Sequence, residues 1–129
     1  MTLLVATNLG NNAYQVGLGG PTPDAAPFEL YVPLTGFSIS PVSSDLVLNP
    51  AGTLATGTVT FPTNPIDGQR LTITSTQTQT AITLTAGTGD TINNAVTALV
   101  ANTPVTYRYS LNGAIGTAGT NARTWFRSL

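Results

Sequence analysis

The chain has 129 residues, a length that favours one domain or one domain with an arm. Only 7% of them are charged, and four arginines against five acids leave a formal net charge of −1. With no His, Cys or Lys, disulfides, thiolate zinc sites, imidazole catalysis and lysine Schiff bases are excluded within one chain, and four arginines are too few for nucleic acid as the main partner.

Threonine, with 24 copies, takes much of the place of the missing charges. A surface of neutral hydroxyls stays wettable but carries little repulsion between copies, so it permits dense packing beside other subunits.

The opening Met1–Thr7 is apolar but short, lacks a basic stretch and soon meets Asn8, Asn11 and Asn12, so no secretory signal is expected. No apolar run approaches the roughly 20 residues that span a bilayer, and no membrane partner is expected. Pro21, Pro23, Pro27, Pro33 and Pro41 rule out helices over this part, because each removes a donor and clashes with the preceding turn. Gly17–Pro27 reads as a loop. It is no phosphate loop, since it lacks a following helix and a lysine. The first 50 residues are thus short strands joined by long turns. Residues 1–60 carry Asp24, Glu29 and Asp45 and no arginine, whereas residues 61–129 carry all four arginines and two aspartates.

From Ala55 to Phe61 odd positions are apolar or small and even positions are threonine, which is the period of a strand with one buried face. Leu71–Ile73, Ile82–Ala86 and Val105–Tyr109 repeat the pattern, and Thr124–Arg127 is a last short strand. Threonine suits the open face because its branched Cβ fits the pleat while its hydroxyl stays wet. The predicted core is Val59, Phe61, Leu71, Ile73, Ile82, Leu84, Tyr107 and Trp125. Asn64–Gly68, the polar Ser75–Thr80, Gly87–Asp90 and Asn112–Gly113 are turns. Thr91–Val100 is the one helix candidate, but its β-branched residues and paired asparagines favour strand and turn.

Little chemistry is visible. Asp67 and Asp90 both sit in Gly-containing turns, where aspartate commonly bonds its own backbone; five acids are enough in number for a carboxylate pair of the glycosidase kind. Calcium at Asp90 has no supporting ligand pattern. Tyr107, Tyr109, Trp125 and Phe126 form either a packed core or a sugar platform. The arginines either meet an acidic neighbour or are simply solvated. No catalytic residue, metal ligand or cofactor is assigned.

Phe61-Pro-Thr-Asn-Pro-Ile-Asp67-Gly68-Gln69-Arg-Leu71-Thr-Ile73-Thr-Ser75-Thr-Gln77, followed by Ile82-Thr-Leu84, Asn102-Thr-Pro-Val-Thr-Tyr107-Arg-Tyr109 and Thr124-Trp125-Phe126, resembles a β-module of tailed-bacteriophage structural proteins. That module occurs in capsid decoration (cement) proteins, head fibres and tail fibres. The resemblance covers about residues 50–129, and Pro-x-Asp-Gly-Gln is its most specific element. It implies an all-β homotrimer that scaffolds or attaches without catalysis.

The expected fold is a small antiparallel β-sandwich or barrel-like module, residues 51–129, preceded by an irregular Pro/Gly-rich segment, residues 1–50. The expected role is a cement protein on the outer surface of a phage head, made in the host cytoplasm, with itself and the major capsid protein as partners. The alternative is a short tail-fibre adhesin recognising a host glycan. Because residues 1–50 lie outside the resemblance, they are expected to carry the capsid contact, at Thr2, Leu3, Leu4 and Val5.

Overall fold

The structure is a computed structural model that describes residues 28–117 and 119–128. The described strands are β1 (Glu29–Tyr31), β2 (Phe37–Ile39), β3 (Asp45–Leu48), β4 (Gly57–Thr60), β5 (Arg70–Ser75), β6 (Thr83–Thr85), β7 (Thr91–Asn93), β8 (Val105–Ser110) and β9 (Thr124–Ser128). The fold is all-β, and no helix occurs among the described residues. The helix candidate Thr91–Val100 is β7 followed by a turn.

The strands form two sheets. The larger has the order β1-β3-β5-β8-β9-β7 and the smaller β2-β4-β6. Up to β6 the chain alternates between them. Glu29 lies beside Leu46 and Asp45 beside Thr72 in the larger sheet, while Phe37 lies beside Gly57 and Thr58 beside Thr83 in the smaller, and all four pairings are parallel. Parallel neighbours need a crossover of about a dozen residues or more, usually a helix. Here the crossover of each sheet is a strand of the other.

The expected antiparallel arrangement is therefore corrected. Among the described strands only β5–β8 and β8–β9 pair antiparallel, and β7 joins β9 in parallel. Period-two alternation tells which face of a strand is buried but not which way its neighbour runs. A threonine-rich strand fits either ladder.

The core lies between the sheets. Val59, Phe61, Leu71, Ile73, Ile82, Tyr107 and Trp125 are buried there, together with Ile39, Leu46, Leu48, Leu99, Val105 and Tyr109. Leu84 is half-buried and packs against this cluster from β6, an edge strand of the smaller sheet. Phe61 stands edge-on to Tyr107 and to Trp125, with ring centroids 5.2 and 5.0 Å apart, and Tyr109 lies 5.1 Å from Trp125. Gly57 is required by close approach, because a Cβ there would overlap the ring of Phe37 on the adjacent strand.

β1, β2 and β3 belong to the same two sheets as the later strands. Ser75 and Gln79, expected in a polar turn, are fully buried. Gln79 sits at the corner between sheets, bridged to Leu54 and to Leu99. Its backbone exchanges hydrogen bonds with Leu99 at 2.9 and 3.0 Å, and its side-chain amide donates to Ser75 Oγ at 3.1 Å. A chain that turns between two packed sheets points one side chain inward. The Gln79 amide nitrogen is satisfied by Ser75, while its Oε1 has no partner among the described residues.

Candidate functional site

Three surface or near-surface clusters gather polar or exposed apolar side chains. The first is the turn before β5. Gly68 adopts a φ of +80°, a left-handed conformation natural to glycine. Gly68 N–H donates to Tyr109 O at 2.7 Å and Gln69 N–H to Ile66 O at 3.0 Å, while Gln69 Oε1 accepts from Ile66 N–H at 3.0 Å. Asp67 does not bond its own turn as expected. It accepts from Leu111 N–H at 2.9 Å, tying this turn to the β8–β9 connection. The Pro65-to-Gln69 turn thus directs its polar side chains to backbone groups, which is a structural use.

The second cluster surrounds Asp90. Its side chain is only 1% exposed and pairs with Arg123 Nη2 at 2.8 Å, and Tyr109 Oη donates to Asp90 Oδ1 at 2.9 Å. Arg123 also donates to Gly89 O and Thr88 O at 3.1 and 3.0 Å. The carboxylate is engaged by a guanidinium and a phenol, so it clamps the loop before β7 to the strands beneath. No group of three or more acids or other metal-binding side chains forms among the described residues.

The tyrosines expected as either core or sugar platform are core. Tyr107 Oη accepts from Val96 N–H at 3.0 Å and donates to Asn94 O at 3.1 Å. Burial raises the Tyr107 hydroxyl above its ordinary value, partly offset by the Val96 hydrogen bond and by Arg127. Burial also raises Tyr109, and the bond to the Asp90 carboxylate adds to it. Because both are raised in the folded chain, their contribution is fully present below the ordinary tyrosine value near 10 and is lost as pH climbs from there through the folded values. Stability is therefore expected to fall above about pH 10. In a spectroscopic titration of tyrosinate the two should ionise at higher pH than a free tyrosine. Free ionisation of all four tyrosines in a folded chain would contradict the burial of these hydroxyls.

The third cluster covers the outer face of the larger sheet and its β1 edge. β1 is an edge strand among the described residues. Along and beyond it Phe28, Leu30, Val32 and Leu34 are exposed, Leu34 by 77%. Val42, 87% exposed, is held beside them, because its N–H donates to the Glu29 carboxylate at 3.1 Å. Scattered exposed apolar residues are normal, but a run of them on an edge strand is a feature of pairing surfaces. Further across the face, Asp45, Arg70, Thr72, Thr106, Arg108 and Ser128 line an open depression of about 300 Å³. Composition alone could not have found it, since it depends on the β5–β8 register.

The expected capsid-contact residues Thr2, Leu3, Leu4 and Val5 lie outside the described residues. No helix among the described residues is long and apolar enough to cross a membrane. Compared with models of known protein families, with curated proteins and with solved structures, the chain matches none.

Proposed function

We propose that this chain is a non-enzymatic structural protein of a virion, a homotrimeric decoration (cement) protein that binds the outer surface of a bacteriophage head and stabilises it. The observation that carries the reading is β1, the edge strand of the larger sheet among the described residues, with the exposed apolar run Phe28 to Leu34. An apolar edge strand of this kind favours association, in which backbone groups and apolar side chains meet those of another chain. The low charge supports the same reading, since copies packed side by side repel little. The resemblance of residues 50–129 to phage β-modules supplies the setting. Asp67 and Asp90 both make bonds that tie loops to the sheet, which supports a scaffolding use of these residues.

On this reading the partners are other copies of the chain and the major capsid protein, with attachment through the N-terminal segment that contains Thr2–Val5. Light scattering should give a trimer, and Leu30→Glu should weaken it by placing a charge on the edge. Deleting residues 2–12 should leave a folded trimer that no longer decorates undecorated heads. Many copies on purified heads would support decoration. A few copies confined to tails, or a stable monomer in solution, would overturn it in favour of the adhesin reading or an unrelated binding module.

A further inference from the structure

Two of the four arginines in the chain face each other across adjacent strands. Arg70 on β5 is in register with Arg108 on β8, both are exposed, and neither forms an ion pair among the described residues. Like charges directly opposite on one sheet face destabilise the pairing. In the next row of the same face Asp45, Thr72, Thr106 and Ser128 stand side by side on β3, β5, β8 and β9. Both rows line the depression of about 300 Å³.

Thr72 and Thr106 hydroxyls bond each other at 2.9 Å. Only one of them donates in that bond, so the other retains its own O–H for a third group. Phe126 continues the arginine row, in register with Arg108 and half-buried.

We propose that this depression is a binding site for an acidic sugar, a pyranose ring bearing one carboxylate. The two guanidinium groups hold the carboxylate between them through charge-assisted hydrogen bonds. The anion also relieves the repulsion between Arg70 and Arg108. The ring lies over the neighbouring row, where the threonine hydroxyls and Ser128 exchange hydrogen bonds with sugar hydroxyls and Asp45 accepts from one of them.

Asp45 decides between ligand classes. A multiply charged phosphate would be repelled by a carboxylate one row away. A singly charged ring that also carries hydroxyl donors satisfies both rows. The inference concerns the outer face of the larger sheet and does not depend on where the chain sits on a particle.

The test is an NMR titration of the intact protein with galacturonic acid, with galactose and with inorganic phosphate. Galacturonic acid should shift backbone signals of β5 and β8, and galactose should bind about tenfold more weakly or worse, as expected for loss of a charge-assisted contact. Arg70→Gln and Arg108→Gln should each abolish the response to galacturonic acid. Each should also raise the denaturation midpoint slightly, because the like-charge pair is gone. That rise distinguishes a binding role from a structural one. Equal binding of galactose, stronger binding of phosphate, no response to any probe, or unchanged binding in both variants would each overturn the assignment.

Discussion

Replacing Phe61 by alanine is expected to destabilise the fold by about 3–5 kcal/mol, the usual cost of emptying a buried phenylalanine site. The ring is 1% exposed. It follows β4 in the smaller sheet, where Phe61 N–H donates to Thr85 O at 2.8 Å, and its side chain reaches Tyr107 on β8 and Trp125 on β9 in the larger sheet. It therefore joins the two layers. The cavity left by alanine would be bounded by rigid rings from two strands, which relax poorly, so the upper part of the range is expected. Thr83, on the exposed side of β6, provides the contrast: Thr83→Ala should change stability by less than about 0.5 kcal/mol. Urea denaturation at one fixed protein concentration measures both. A Phe61→Ala loss below about 1 kcal/mol, with an unchanged denaturant slope, would mean that the ring does not link the sheets.

Asp90→Ala is expected to cost about 2–3 kcal/mol, less than breaking a fully buried pair, which costs roughly 3–5. The discount comes from the partner: Asp90 is buried, but the Arg123 side chain is 46% exposed and remains hydrated when the carboxylate is removed. What cannot be rehydrated is the Tyr109 hydroxyl, whose residue is 2% exposed and which donates to Asp90. The double variant Asp90→Ala with Tyr109→Phe should therefore lose less than the two single losses added together, because the second change removes the donor that the first leaves unpaired. Strict additivity in that cycle would show that the tyrosine bond contributes nothing. The local consequence should be faster hydrogen exchange at Thr91, whose N–H donates to Arg123 O at 3.0 Å, since the clamp holding β7 against β9 is gone.

The β character of the chain and the inward faces of its strands are legible in the sequence. Alternating threonine and apolar residues place Val59 and Phe61, Leu71 and Ile73, and Tyr107 on buried faces, because a strand repeats every two residues wherever it lies. The Asp-Gly turn before β5 is legible as a turn for a similar local reason: its glycine supplies a left-handed φ. Strand direction, sheet membership and register are not local. The same alternation serves a hairpin or a crossover, so the parallel winding of β1 to β6 is settled by packing two sheets on one core. That packing draws Leu46 and Leu48 into the same interior as Trp125 and buries Gln79 in a segment with the composition of a polar turn. Arg70 and Arg108 are 38 positions apart in the chain and become neighbours only through the β5–β8 register. The charges themselves are written in the sequence, but their opposition on one face, and the depression they share with Asp45, arises from pairing between distant strands.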